Sequence, residues 1–357
     1  MRSFRAGDWV EVKSKEDILR TLDKKGRLGE LPFMPQMFKY CGQRFQIYKS
    51  AHKTCDTITG KGEGRQLASG IHLDLRCDGQ AYAGCQAACL IFWKEDWLRP
   101  LGDGVAAREV DPRSAPQALD IVQGIGCTEE DVLKGTKVQG AADNAETAYV
   151  CQATQLLNYT SLFPWYDARQ YREDYRSGNE TLGTMVRGFF YVAYYYGSLS
   201  YRGRPGIPGR WLYNVFQRLR GGVPFPRSNG LIPVGEPTPE SNLNLQPGEL
   251  VRIKSFDYIR KTIDKHERNR GMSFDAELVP YCGGTYRVKA SVGTFIDEKT
   301  GRVRTMKTPA VILEGVFCKA RYSSCRMFCP RAIHSWWREI WLERVVEGQA
   351  SDMRNSS

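Results

Sequence analysis

The chain of 357 residues lacks any apolar run long enough to span a bilayer. Its longest such stretch, GFFYVAYYYG at 188–197, is far short of the roughly 20 residues that a spanning helix needs. The first residues, MRSFRAGDWVEVKSKEDIL, carry charges but no apolar core of the secretory type. These absences predict a cytoplasmic protein that does not associate with a membrane.

The signatures of several common catalytic sites are also missing. The chain contains no glycine-rich phosphate loop, no G-x-S-x-G nucleophile elbow and no H-E-x-x-H zinc motif. Histidine is scarce, because only four are present. The sequence therefore leaves open whether the protein is an enzyme.

Acidic residues are fewer than basic ones, at 40 against 51, so the formal net charge is +11. Such an excess attracts polyanions, nucleic acid among them. The basic residues are scattered, with small clusters at 201–211 and 301–307 and no continuous basic stripe. A polyanion and a protein both remain candidate partners, and the oligomeric state stays open.

Cysteine, in contrast, is plentiful, with 11 residues. In a reducing cytoplasm thiols do not persist as structural disulfides, so metal binding or catalysis is the favoured explanation. The alternative is that buried cysteines act as small apolar residues.

The sequence around the cysteines is repeated along the chain. GDWVEVKSKEDILRTLD at 7–23 aligns with GELVRIKSFDYIRKTID at 248–264, an offset of 241 residues. The same offset aligns the two YCG triplets, at 40–42 and 281–283. So many matches in one register predict a duplicated module of about 95 residues.

Each copy of the module has the pattern of a small β-rich domain. DWVEVKS and ELVRIKS alternate apolar and polar residues, as half-buried strands do, and the serine then caps a short amphipathic helix. SGIHLDLRC and AVILEGVFC predict strands that run into a cysteine-rich turn, whereas CPRAIHSWWREIWLERV predicts a helix. The opening GDWVEVKS resembles the first strand of SH3-like or KOW-like small barrels, and the resemblance implies a barrel-like module.

The predicted fold class is therefore α+β, with two β-rich four-cysteine modules flanking a mainly helical middle domain. Within that middle domain, DARQYREDYRSGN at 167–179 predicts a surface helix, and TLGTMVRGFFYVAYYYG at 181–197 a buried, aromatic-rich one. The predicted parts are an N-terminal metal-binding module at 1–104, the middle domain at 105–220, a linker at 221–246, a C-terminal metal-binding module at 247–346 and a disordered tail at 347–357.

The cysteines that occur in both copies are the predicted metal ligands. They are Cys41, Cys77, Cys85 and Cys89 in the first copy and Cys282, Cys318, Cys325 and Cys329 in the second. Their spacing is C-x35-C-x7-C-x3-C and C-x35-C-x6-C-x3-C, respectively. Four thiolates complete the coordination shell of a structural zinc ion or of a cubane iron–sulfur cluster, so one metal centre is expected in each module.

The sequence predicts the identity of the metal less firmly than it predicts the ligands. Zinc sites usually contain short C-x2-C knuckles, and neither copy has one. A Cys-Pro pair at 329–330, as in ferredoxin-type runs, favours two 4Fe–4S clusters over two Zn²⁺ ions. The favoured function is a metalloprotein that serves as a redox enzyme or its accessory component. The alternative is a zinc-stapled, non-catalytic binding module for nucleic acid or a protein partner.

One loop, SAHKTCDTITG at 50–60, has reactive residues that the second copy lacks. His52, Cys55 and Asp56 are the candidate catalytic residues, because a histidine close to a cysteine can activate it as a nucleophile. The same loop also fits an ordinary exposed turn. Cys55 is moreover an alternative to Cys41 as a ligand of the first centre.

Two cysteines of the middle region have structural interpretations. Cys127 precedes the helix start TEED, and Cys151 lies in an apolar stretch that favours a place in the core.

Overall fold

The computed structural model of the protein describes residues 4–101, 126–138, 147–200, 211–215, 226, 229–323 and 325–345. The predicted tail at 347–357, part of the predicted linker at 221–246 and residues 105–125 of the predicted middle domain lie outside the described residues.

The described residues combine helices with antiparallel sheets, which confirms the α+β prediction. The α-helices are α1 (Lys15–Leu19), α2 (Glu129–Lys134), α3 (Leu156–Tyr159), α4 (Ala168–Arg176), α5 (Leu182–Ser200) and α6 (Phe256–Arg260). The strands are β1 (Trp9–Val12), β2 (Arg27–Leu28), β3 (Leu31–Pro32), β4 (Arg44–Gln46), β5 (Lys49–Ser50), β6 (Lys53–Cys55), β7 (Gly64–Gln66), β8 (Gly70–Arg76), β9 (Leu90–Lys94), β10 (Leu98–Pro100), β11 (Lys137–Val138), β12 (Ala148–Tyr149), β13 (Ser161–Leu162), β14 (Leu250–Ile253), β15 (Arg268–Asn269), β16 (Met272–Ser273), β17 (Thr285–Ile296), β18 (Val303–Phe317), β19 (His334–Trp337) and β20 (Leu342–Arg344).

These elements fall into two compact units. The first takes the described residues up to Glu180 together with Ile296–Val303, and the second takes the others from Thr181 onward. The sequence predicts a boundary after residue 104, whereas the described residues 126–138 and 147–180 belong to the same unit as the N-terminal module. In the first unit Ile296 is part of the core, and the backbone N–H of Tyr149 donates to the carbonyl of Gly301 at 2.8 Å.

In the first unit the alternating sequence of β1 produces the predicted half-buried strand. Val10 and Val12 are buried while Trp9 is exposed, and β1 pairs with β4 and β10. Ser14 then caps α1 as expected, because its hydroxyl accepts from the backbone N–H of Asp17 at 3.2 Å.

The core of the first unit is built around tryptophan. Trp97 is buried, meets Phe33 edge-on with ring centroids 5.1 Å apart, and donates its indole N–H to the Thr21 hydroxyl at 3.0 Å. A buried indole needs such an acceptor, since an unpaired N–H in an apolar core costs free energy. Strands β8 and β9 pair beside this core and carry the cysteine-rich turn between them.

The second unit contains the same kind of contacts. Trp341 is buried, meets Phe274 edge-on at 5.1 Å and donates its indole N–H to the Thr262 hydroxyl at 2.9 Å. Ser255 caps α6 through the backbone N–H of Tyr258. The strands that accompany this core form a five-stranded sheet in the order β19-β18-β17-β14-β20.

Two expectations about the modules are not met. None of the sheets formed by the described residues closes into a barrel, so the SH3-like architecture is not confirmed. The helix predicted for CPRAIHSWWREIWLERV is wrong, because this stretch forms β19, a short 3-10 helix at Glu339–Trp341 and β20. The cause is sheet pairing: Trp336 and Trp337 lie opposite Ile312 and Val311, and burial in the sheet overrides the helical pattern.

No helix in the described part of the chain combines the length and apolar character needed to cross a membrane. The cytoplasmic location stays a prediction.

The core of the first unit is testable by truncation of one side chain. Ile71 on β8 is fully buried, so Ile71→Ala should lower the free energy of unfolding by about 2–5 kcal/mol. Leu133→Ala is the matched control, because Leu133 is exposed and its truncation should change stability by less than about 0.5 kcal/mol. Urea unfolding followed by tryptophan fluorescence measures both. Equal stabilities for the two variants would contradict the assigned core.

Candidate functional site

The cysteine-rich turn of the first unit extends the hairpin of β8 and β9. Cys77 directly follows β8, and its backbone N–H donates to the carbonyl of Cys89 at 2.9 Å, so the ladder continues by one pair. Gly79 has a positive φ of 71°, and a Cβ there would collide with the carbonyl of Cys85. The turn therefore requires glycine at 79, and its close packing fixes the separation of Cys77 and Cys85.

Cys77, Cys85 and Cys151 are partly buried and pack against the core of the first unit, and these three thiols are named here the thiol cluster. Burial is the main cause that raises the pKa of Cys77 to about 12, and the neighbouring Cys151 and Cys85 raise it further. Cys151 was expected to be a core residue.

Hydrogen-bond donors are directed at the sulfurs of the thiol cluster. Gln36 Nε2 donates to Cys77 Sγ at 3.1 Å, and the backbone N–H of Gly79 lowers the pKa of the same thiol. The backbone N–H of Ile296 donates to Cys85 Sγ at 3.4 Å. The pKa of Cys151 is raised by burial and lowered in part by hydrogen bonds from Thr154. Donors of this kind favour a thiolate over a thiol.

Two of the predicted metal ligands, Cys41 and Cys282, each lie at the end of a 3-10 helix. Cys41 ends the 3-10 helix Pro35–Tyr40, and burial raises the pKa of its thiol to about 11. The charged groups that influence it most are Lys15, Glu16 and Glu129. Cys282 ends the corresponding 3-10 helix Ala276–Tyr281, and burial raises its pKa to about 12.

In the second unit, the residues at the base of the cysteine-rich turn after β18 pair in a different register from the one that the alignment of the two copies implies. The backbone N–H of Cys318 donates to the carbonyl of Ile333 at 2.8 Å. Ile333 therefore occupies the ladder position that Cys89 has in the first unit, although Cys329 had been aligned with Cys89. Cys329 is buried within the turn, and its N–H donates to the carbonyl of Arg326 at 3.2 Å.

The eight predicted ligands all belong to the described residues. Across those residues, no group of three or more His, Cys, Asp or Glu side chains is arranged so that it could hold a metal ion. The two predicted ligand sets, which include Cys41 and Cys282, stay predictions. Metal binding stays a prediction, and the thiol cluster is the group of sulfurs whose donors suit it.

The loop with the candidate catalytic residues meets α4 in a buried ionic network. Lys53 Nζ lies 2.5 Å from Asp174 Oδ2 and 3.3 Å from Gln170 Oε1. His52 Nε2 lies 3.2 Å from Asp174 Oδ1 and 3.3 Å from the carbonyl of Gln170. Lys53 and Asp174 are both buried, so the helix predicted to lie on the surface has one buried face. Lys53, Asp174, Gln170 and His52 are named here the Asp174 network.

Asp56 belongs to a different group of contacts. Its Oδ1 accepts from the backbone N–H groups of Ile58 and Thr59 at 2.9 and 2.8 Å, and its Oδ2 lies 3.5 Å from Arg65. Burial acts to raise the pKa of Asp56, but the hydrogen bonds from Thr59 and Ile58 and the charge of Arg65 outweigh it, and the pKa is lowered. These contacts stabilise the turn that follows β6. Cys55 is buried on β6, and the predicted nucleophile pair of His52 and Cys55 stays a prediction.

An open groove of about 770 Å³ lies beside the thiol cluster. The wall is partly the turn between Cys77 and Cys85 and partly α2 and the strands after it. The lining residues are Gln80, Ala81, Ala83, Leu133, Lys134, Lys137 and Tyr149. Lys137 Nζ lies 5.9 Å from the centroid of the Tyr149 ring, so the groove presents cationic and aromatic groups together.

The chain matches no protein-family model, no curated protein and no solved structure. Cys151 and Gln36 are the residues of the thiol cluster's surroundings that the sequence did not point to. Cys151 lacks a counterpart in the second copy, and comparison of the copies selects only shared positions.

The lowered pKa of Asp56 predicts a specific pH dependence. A carboxyl whose pKa is lower in the folded than in the unfolded chain stabilises the fold above its unfolded pKa of about 3.9, and loses that contribution as pH falls through the folded pKa. Asp56→Asn should therefore be less stable than the wild type at pH 7 and lose less stability between about pH 5 and pH 2. Urea unfolding over a pH series measures this. Asp257→Asn, at an exposed position, is the control and should keep the wild-type slope.

The Asp174 network predicts a large effect at Lys53. Lys53→Met keeps the length of the side chain but leaves Asp174 without its closest cation, and breaking such a buried pair costs about 3–5 kcal/mol. Lys134→Met removes a lysine from an exposed pair with Glu130 and should leave stability unchanged within error. Equal unfolding free energies of the two variants would exclude a buried ion pair at Lys53.

Proposed function

We propose that the protein is a thiolate metal-binding protein in which a bound ion staples a non-catalytic binding module. The N-terminal centre comprises Cys77, Cys85 and Cys151, and the metal is a single Zn²⁺ rather than an iron–sulfur cluster. The observation that carries the proposal is the set of donors directed at these sulfurs. A neutral thiol is a poor hydrogen-bond acceptor, whereas a metal-bound thiolate is commonly oriented by N–H groups of this kind.

The number of thiols favours zinc. A mononuclear zinc site closes with four ligands and accepts oxygen or nitrogen beside sulfur, whereas a cubane cluster held by cysteine needs four thiolates. Cys41, the fourth cysteine of the predicted set, has Lys15 and two glutamates as its charged neighbours. Three thiolates with one oxygen ligand therefore describe the centre better than the predicted quartet.

Occupation of the centre requires a local adjustment. Among the described residues no group of three or more His, Cys, Asp or Glu side chains is arranged to hold a metal ion, and a zinc–sulfur bond is about 2.3 Å long. Binding would draw them together by side-chain rotation and release their protons, which couples metal affinity to pH. A bound zinc would cross-link the turn after β8 to the segment that carries Cys151.

We further propose that the second unit repeats the module. Its support is the repeated pairing of a buried indole with a threonine hydroxyl, at Trp97 and Thr21 and again at Trp341 and Thr262. Cys318 follows β18 as Cys77 follows β8, and it is the first candidate ligand of a second centre.

Binding of a polyanion such as nucleic acid at the groove is the second candidate function. What favours it is the proximity of Lys134, Lys137 and Tyr149, because cationic and aromatic side chains together suit phosphates and stacked bases. The groove adjoins the thiol cluster, so an ion in the centre would also hold one wall of the groove.

Metal analysis tests the main proposal. The full-length protein, purified without oxygen, should be colourless and contain zinc without acid-labile sulfide. Cys77→Ser and Cys151→Ser should each lose about one zinc ion per chain, because three thiolates reduced to two bind the ion weakly. Cys41→Ser is the matched control, since Cys41 is also a partly buried thiol of the first unit, and it should keep its zinc.

Three results would contradict the proposal. A brown protein with about eight iron atoms and acid-labile sulfide would indicate two cubane clusters. Zinc lost by Cys41→Ser but kept by Cys151→Ser would restore the predicted quartet. If the protein contains neither metal and takes up no zinc after reduction, the metal-binding function is excluded. Circular dichroism of each variant separates loss of metal from loss of fold.

A further inference from the structure

The second unit exposes an apolar stripe along α5, the helix that the sequence predicts to be buried. Leu182 is 65 % exposed, Val186 59 % and Phe190 50 %. The opposite side of the same helix is buried at Met185 and Tyr191. A helix on the surface of a globular protein normally presents polar residues to solvent, so this stripe requires an explanation.

The buried side of α5 is seated closely on the cysteine-rich turn of the second unit. A Cβ at Gly188 would lie 2.6 Å from the ring of Phe328, so only glycine permits this approach. The ring of Tyr191 meets that of Tyr322 edge-on at 5.1 Å. These contacts fix the orientation of the helix, and the apolar stripe is therefore its outward face.

A second exposed apolar pair lies close by. Residues 211–215 are helical, and Trp211 and Leu212 are 65 % and 63 % exposed. The next residue, Tyr213, is buried and stacks on Tyr194 of α5 with ring centroids 4.6 Å apart. The two pieces are thus packed together, and both present large apolar side chains to solvent. Leu182, Val186, Phe189, Phe190, Trp211 and Leu212 are named here the interfacial stripe.

The charge of this part of the sequence is entirely positive. From Thr181 to Gly235 the chain contains seven arginines and no aspartate, glutamate or lysine. Arg187 lies on α5 itself and is exposed. Arginine pairs with phosphate through two parallel hydrogen bonds, and its guanidinium is less strongly hydrated than the ammonium group of lysine.

We propose that the interfacial stripe binds to the surface of an anionic lipid bilayer, with α5 lying in the plane of the headgroups. Apolar and aromatic residues of the interfacial stripe would enter the boundary between headgroups and acyl chains, and Arg187 would pair with a lipid phosphate. Tryptophan is favoured at this depth. The helix spans 19 residues, about 28 Å at 1.5 Å per residue, so it presents several apolar side chains to one surface.

Charge distinguishes this occupant from a second copy of the chain. Two copies joined through the stripe would bring like charges together at Arg187, with no acidic residue between 181 and 235 to pair with them. An anionic headgroup layer supplies the missing negative charge. The expectation of no membrane association rested on the absence of a spanning helix, which an interfacial helix does not require.

Sedimentation with lipid vesicles tests this proposal on the full-length protein. Binding is expected to vesicles of phosphatidylcholine mixed with phosphatidylglycerol, about tenfold weaker binding to phosphatidylcholine alone, and weaker binding at high salt. Phe190→Ser and Val186→Ser should each reduce the partition coefficient about tenfold, because each removes one buried apolar side chain from the bilayer. Leu162→Ser, at a similarly exposed leucine of the first unit that lies outside the groove, is the control and should bind as the wild type does.

Subtracting the emission spectrum of Trp211→Phe from that of the wild type gives the emission of Trp211. Its maximum should shift to shorter wavelength when anionic vesicles are added. No binding, equal binding to neutral and anionic vesicles, or unchanged binding of Phe190→Ser would each overturn the proposal. A dimer that Phe190→Ser dissociates, in a protein that ignores vesicles, would assign the stripe to a second copy instead. The outcome is independent of zinc, since Cys77→Ser should bind vesicles like the wild type.

Discussion

The hydrogen bond from a buried indole to a threonine hydroxyl is the interaction around which each unit is organised. Trp97 comes from the end of its module and Thr21 from the turn after the first helix, so the bond joins the two ends of a compact β-rich segment. The aromatic ring of Phe33 packs edge-on against Trp97 in the same core. Trp341 and Thr262 repeat the arrangement in the second unit.

Local patterns were the part of the fold that the sequence could predict. The alternation in β1 and the serine cap of α1 depend on neighbours within a few residues, and both are present. The final segment was misjudged because its helical spacing says nothing about the strand that Trp337 would meet across the sheet. Cys151 was missed for the same reason, since its proximity to Cys77 is a product of tertiary packing alone.

In the described contacts of the first unit, the buried charged side chains stabilise the fold. Asp174 gathers Lys53 and His52, and Asp56 holds a turn with Arg65. Each carboxylate has a partner that offsets the cost of its burial, which explains why a loop rich in reactive residue types can be stable inside the unit. The thiol cluster differs, because Cys77 and Cys85 accept hydrogen bonds from an amide side chain and a backbone N–H instead of pairing with a charged group.

The segment Ile296–Val303 gives the first unit a discontinuous chain. Its core includes Ile296, and the carbonyl of Gly301 accepts the N–H of Tyr149. During synthesis on the ribosome, therefore, the N-terminal unit has to wait for more than a hundred later residues before its core is complete. A gene fragment that stops after residue 180 would encode an unfinished domain, and fragments for separate expression should be designed with this in mind.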